Sequence, residues 1–313
     1  MSTLDVLTIG ETMVSFRSDG PLGQGSRHTA HVAGAESNVA IGLARLGHRA
    51  AWVGQVGADP FGHMVLRALR GEGVDVSRAV VDGTGPTGVM FLEQRTADRT
   101  RVEYRRRGSA GSALDARQAL AALDDGPRVL HLTGITPALS GSARDAVLAV
   151  ADAASSSGVL VSLDVNHRSR LWSREEAKEV LTVLARHAQV VIASEDELDL
   201  VAGGGEVDAV AHLLDHGAQH VAVKRGARGA TVHGTGGRVD ADALPVTQVD
   251  PVGAGDAFCS GLLSGLLDGL APDAALRRAV TCGAVAVSTH GDWEGAPTRA
   301  DLDLLDEGDT TVR

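Results

Sequence analysis

The chain has 313 residues, 43% of them hydrophobic, and carries 29 Lys and Arg against 40 Asp and Glu for a net charge of −11. That length and apolar content support a sizeable core in one large domain or two unequal ones. The acidic balance excludes nucleic acid and anionic membrane surfaces as expected partners. No apolar run reaches membrane-spanning length, and Met1–Gly10 contains Asp5 and no basic n-region. The two cysteines, Cys259 and Cys282, fit buried free thiols of a cytoplasmic protein better than a disulfide framework.

In chain order, β-branched runs at Val6–Ile9, Ala50–Val56, Val129–Leu132, Val159–Leu163, Val190–Ala193 and Val221–Val223 predict strands. Amphipathic stretches at Asn38–Leu46, Phe61–Gly71, Ser142–Ala154 and Arg174–His187 predict helices between them. The alternation predicts an α/β fold with a mostly parallel central sheet flanked by helices. Ligands of such sheets bind beyond the carboxyl ends of the strands. Two pairs of short alternating runs break the rhythm: Met13–Ser18 with His28–Val32, and Thr87–Gln94 with Arg101–Arg106. They predict hairpins of a small antiparallel sheet, either a lid formed by residues 12–32 and 84–106 or an ordinary edge extension. After Ala254 the pattern is helical, over Ala254–Leu270, Asp273–Ser288 and Arg299–Leu305. The recurring Gly255, Gly261, Gly265 and Gly269 predict close backbone packing there. No internal repeat or low-complexity linker divides the chain, so residues 1–313 are read as one domain.

Asp250-Pro251-Val252-Gly253-Ala254-Gly255-Asp256 stands at the mouth of the first of these helices. Backbone N–H groups of Gly253, Ala254 and Gly255 can converge on phosphoryl oxygens there, because little side chain intervenes. Asp256, in the first turn, is expected to stay ionised by the helix dipole and to act as a general base on a hydroxyl. The bland reading is a Gly-rich helix start with a favourable Asp. Of the two lysines, Lys178 and Lys224, neither lies in a GxxxxGK[ST] loop, so a P-loop is excluded. The absence of HExxH, a Cys/His cluster or GxSxG argues against protein-ligated zinc and a serine hydrolase.

This heptapeptide resembles the C-terminal signature of the ribokinase-like (PfkB) carbohydrate kinases. Gly34-Ala35-Glu36-Ser37-Asn38-Val39-Ala40, followed by Leu43-Ala44-Arg45-Leu46-Gly47, resembles the family's other signature, and Gly54, Gly57, Asp59 and Gly62 fit its spacing. The likeness covers nearly the whole chain. Within the family it is nearest to the 2-keto-3-deoxygluconate kinases, on Tyr104–Ser112, His131–Thr136, Asp164–Arg168 and Gly291–Gly295. The resemblance implies a ribokinase-like fold, ATP as donor, Mg2+, and phosphorylation of the 6-hydroxyl of a sugar acid.

Residue by residue, the resemblance implies substrate contacts at Gly34, Ala35, Asn38, Met90, Tyr104, Arg106, Arg168, Asp256 and Asp292. It implies nucleotide contacts at Asn166, Ser194, Lys224, Gly226, Gly229, Gly253 and Gly255. Arg168 serves either the transferring phosphoryl group or the substrate carboxylate, which Arg forks suit. Asn38 contacts substrate or makes a helix-entry bond. Glu197, in Ser194-x-x-Glu197, either organises Mg2+ or closes a capping box. The chain departs from the pattern at Met90, where resembling keto acid kinases carry Tyr, at Trp293, where His is frequent, and at Val252, which puts a monovalent-cation site in question. Trp293 packs beside the nucleotide or fills a helix junction. The expected activity is therefore 2-keto-3-deoxygluconate kinase. A kinase of fructose, ribose or the galactose-derived keto acid, and a non-catalytic regulator, stand as alternatives. A homo-oligomer formed through the lid is compatible with the sequence.

Overall fold

The computed structural model of the protein describes residues 4–23, 25–96 and 99–302. Its central sheet has eight strands among these residues, in the order Gly237–Ala241, Ala230–Gly234, His220–Lys224, Val190–Ser194, Leu160–Asp164, Val129–Thr133, Val6–Ile9 and Ala50–Val53. From His220–Lys224 to Ala50–Val53 all neighbours pair in parallel, while the first two strands are an antiparallel extension.

The parallel strands are apolar on both faces because helices cover both. Leu7, Ile9, Leu163, Val191 and Ala193 face one core layer, with helices Gly141–Ser156 and Arg174–Ala185. Val6, Trp52, Val190 and Ile192 face the other, with helices Ala35–Arg45, Ala254–Leu267 and Pro272–Val287. None of the helices among the described residues is long and apolar enough to cross a membrane.

The predicted hairpins are present as Met13–Ser18 with His28–Ala33 and Val89–Thr96 with Arg99–Arg105, each antiparallel. They join through a parallel pairing of Met13–Ser18 with Val89–Thr96 into a four-stranded sheet. Its inner face presents Met13, Ala33, Met90 and Leu92. The predicted strand Ala50–Val56 is instead two, Ala50–Val53 and Gln55–Gly57. Gly54 separates them, where any Cβ would collide with the Gly10 carbonyl and the Trp52 ring. Sequence periodicity also passes over the short helix Ala116–Ala121 and the helix Glu206–Asp215. Residues 303–305 of the expected last helix lie outside the described residues, and Arg299–Asp301 forms a single 3-10 turn.

The glycine expectation holds where the last two long helices cross. A Cβ on Gly261 would lie 2.8 Å from Ala279 Cα, and one on Gly265 would lie 2.7 Å from Ala275 Cα. A Cβ on Gly255 would instead meet only Lys224 Nζ, at 3.8 Å, and Gly269 takes a left-handed φ of +72 where the chain leaves the helix. Gly265→Val should overpack this crossing and destabilise the fold by about 1–3 kcal/mol, read as a lower urea midpoint with an unchanged slope.

Candidate active site

The carboxyl ends of the parallel strands open into a cavity of about 460 Å³, covered by the four-stranded sheet. Gly34, Ala35, Asn38, Met90, Tyr104, Arg106, Asn166, Arg168, Ser194, Glu197, Lys224, Gly253, Gly255, Asp256 and Asp292 all line it. A second cavity, of about 590 Å³, shares Lys224, Pro251 and Gly255 with the first. Gly226, Gly229 and Ala254 line it, against an apolar wall that includes Pro245, Val246, Phe258 and Val287. The two cavities therefore meet at the first turn of the Ala254–Leu267 helix.

Gly253 caps that helix with φ +77, and a side chain there would strike the Asp292 carbonyl. Ala254 N–H is drawn back toward Pro251 O (3.4 Å). Early N–H groups of a helix have no partner four residues back, so this turn presents donors to the cavities. Asn38 Nδ2 donates to Asp256 Oδ2 at 2.8 Å. The Asn38 amide nitrogen therefore reaches across to Asp256 on another helix.

The expected ionisation of Asp256 needs correction. Burial pushes its carboxyl up to about 7, Asp164 adds to the rise, and Asn38, Arg168 and Lys224 only partly oppose it. A helix dipole contributes at most a couple of kcal/mol, and the loss of water around a buried charge outweighs that.

Lys224 is not in the loop but is the last residue of strand His220–Lys224. Its Nζ donates to the buried Asp164 Oδ1 at 2.7 Å. Burial alone would discharge the amine, but Asp164 holds its pKa above the usual lysine value. Asn166 has φ +40, the one positive φ outside glycine among the described residues, and its Nδ2 donates to Asp164 Oδ2 at 3.3 Å. Glu197 accepts from Ser194 N (2.9 Å) and from His167 N (2.7 Å). This is half a capping box plus a tie between two strand ends. Its carboxylate, with about four lone-pair sites, still fits a hydrated magnesium ion carried in with phosphates.

Arg106 is buried, its Nε donates to Glu11 Oε2 at 2.6 Å, and its guanidinium lies 5.5 Å from the Tyr104 ring centroid. Arg168 by contrast is exposed at the cavity rim. Asp292 is buried and pairs with Arg17 at 3.0 Å. Trp293 is not beside the second cavity. Its Nε1 donates to Val32 O (2.9 Å) and Arg45 stacks over its ring at 5.2 Å, so it fills the junction with the covering sheet.

Glu11, Glu36 and Asp164 are cavity-lining carboxylates that sequence reasoning did not single out. Glu36 is buried, which raises its pKa, and it accepts from Thr133 and Thr136 hydroxyls, each at 2.6 Å. Glu11 and Asp164 each sit at the carboxyl end of a predicted strand, a position that could have marked them.

A parallel sheet, a covering sheet and paired cavities at the strand ends define the ribokinase-like class of α/β proteins. A putative ribokinase II from E. coli, solved with ATP and Mg2+, is 26% identical with a TM-score of 0.90, covering 97% of this chain and 99% of that one. Residues 3–299 match the family described as pfkB family carbohydrate kinase, and the chain belongs to the PfkB family of carbohydrate kinases. It is similar to 2-dehydro-3-deoxygluconokinase of Bacillus subtilis (strain 168), 38% identical over 312 residues, covering 96% of this chain and 94% of the relative. The corresponding enzyme of Thermoproteus tenax is 34% identical over 309 residues, with 96% and 94% covered.

The shift of Asp256 has a sign that stability measurements can check. With a folded pKa near 7 against an ordinary 3.8, the folded protein holds the proton more tightly. Stability contributed by this proton is complete below about 3.8 and is lost as pH rises through 7. The slope is at most about 1.4 kcal/mol per pH unit. Asp256→Asn should therefore be more stable than the wild type at pH 8, and the gap should close toward pH 4. Thermal unfolding across that range reads the difference; a gap independent of pH would contradict the shift.

Proposed function

We propose that this kinase transfers the γ-phosphoryl group of ATP to the 6-hydroxyl of 2-keto-3-deoxygluconate. The carrying observation is that the half-buried Asp256 carboxyl stands where a polar cavity with Tyr104, Arg106 and Arg168 meets an apolar cavity edged by Gly226 and Gly229. The family and the two similar 2-dehydro-3-deoxygluconokinases support the substrate. The ATP and Mg2+ complex of the E. coli neighbour supports the donor.

In this reading the apolar cavity takes the adenosine part and the phosphates run toward Lys224, Asn166 and Ser194. Ionised Asp256 accepts the proton of the 6-hydroxyl as that oxygen bonds to the γ-phosphorus and the bond to the ADP oxygen breaks. Amides at Gly253, Ala254 and Gly255 receive charge on the transferring group. Gly34, Ala35 and Asn38 border the sugar, and the four-stranded sheet acts as a lid that excludes water. Glu197 would hold magnesium through water, and the ion would neutralise phosphate charge.

The substrate carboxylate is assigned to Arg168. Arg106 is already neutralised by Glu11, and its contact with Tyr104 makes it a wall of the sugar site. Met90 is buried in that wall beside Leu92, so it offers packing where a hydroxyl would offer a bond. That keeps related sugars in view as competitors.

ATP consumption should be fastest with 2-keto-3-deoxygluconate in a panel with its galactose-derived epimer, fructose and ribose. A preference for fructose or ribose would overturn the substrate. Arg168→Ala should raise KM for the keto acid roughly ten- to a hundredfold, the worth of a charged hydrogen bond, while sparing any weak fructose turnover.

A general base must be ionised to act, so kcat/KM should fall tenfold per pH unit below about 7. Asp256→Asn should lose at least about a hundredfold in turnover and lose this acid limb. Retention of both would remove Asp256 as the base.

A further inference from the structure

Arg17 lies on strand Met13–Ser18 of the covering sheet, yet its guanidinium reaches the main body. One terminal nitrogen contacts the Asp250 carboxylate and the other donates to Asp292 Oδ2 at 3.0 Å. Both carboxylates are buried. Asp250 begins the heptapeptide turn, and its other oxygen accepts from Val252 N at 3.1 Å. Asp292 brings its backbone carbonyl against Gly253, so closely that only glycine fits. One planar fork thus grips both walls of the turn whose amides face the cavities.

We propose that Arg17 is a positioning residue that links the covering sheet to the phosphoryl-binding turn. It holds Asp250 and Asp292 together so that Gly253 and the amides after it stay aimed at the transferring group. Two buried carboxylates repel each other unless a cation sits between them. Without Arg17 they would part or take up protons, and either change shifts Gly253. The same sheet grips the neighbouring segment through Trp293 Nε1 to Val32 O (2.9 Å) and His31 Nδ1 with Glu294 Oε1 (2.8 Å). Sheet position and turn geometry are therefore transmitted through residues 291–294. A lysine could supply charge but not a fork for two carboxylates.

The proposal rests on the reading of Gly253–Gly255 as the phosphoryl cradle, so Asp256→Asn is assayed beside the Arg17 variants. Arg17→Ala should lower kcat roughly tenfold to a hundredfold, the usual effect of an ångström-scale misplacement, with KM for the sugar within about threefold. Guanidinium chloride at low, non-denaturing concentration should restore part of that kcat. Arg17→Lys, the variant to rely on should Arg17→Ala not fold, should also fall short of wild-type kcat. Wild-type kcat in either variant, or a loss confined to KM, would overturn the proposal. If Asp256→Asn keeps its turnover, the active-site reading on which the proposal rests fails; if only the Arg17 variants keep theirs, the positioning role alone fails.

Discussion

Asp256 combines two demands that oppose each other. In the proposed reading it accepts a proton near neutrality, which a raised pKa suits, and the first turn of a helix depresses that pKa. Desolvation decides the balance here, because half-buried Asp256 stands in the cavity beside Asn38 and Asp164 and under the covering sheet. Much of the surrounding structure serves that enclosure. Asn38 comes from the first long helix, Asp164 from a central strand, and Met90 and Leu92 from the sheet above.

The enclosure also explains why the cations around the site come in matched sets. Lys224 faces Asp164, Arg106 faces Glu11, and Arg17 faces Asp250 and Asp292. An unpaired charge at such depth would be strongly destabilising. Each pair also joins two elements distant in sequence, so the charges fix geometry more than they add net stability.

Much of this was legible in the sequence. Periodicity carries the parallel strands and both hairpins, because a doubly covered sheet needs unbroken apolar runs and a half-covered one needs alternation. The residues expected at the site line the two joined cavities, since motif glycines and strand ends are local features. What stayed hidden depends on tertiary burial. The helix position of Asp256 suggests an ordinary carboxylate, and only the packing of four distant segments reverses that. Arg17 looks like one more charge on an edge hairpin until the fold lays it across residues 250 and 292. Trp293 reads as a nucleotide neighbour from its place in the chain, but Val32 claims it, and the pairing of Lys224 with Asp164 is invisible until the strands are side by side.

Pairing of the buried cations leaves a question of capture for a chain of net charge −11. A polyanionic nucleotide gains little from cations already neutralised by carboxylates. Oriented amides at a helix mouth escape that limit, because they carry no counter-charge to bury and need no proton. Arg168 at the rim, exposed to solvent, is left for the carboxylate of the acceptor in the proposed reading. The consequence reaches back to Asp256. Phosphates arriving at the turn would raise its proton affinity further, whereas Arg168 and an ion carried with the nucleotide would lower it. In the proposed reading, Arg168 on the acceptor side and the ion carried with the donor therefore both favour the ionised base.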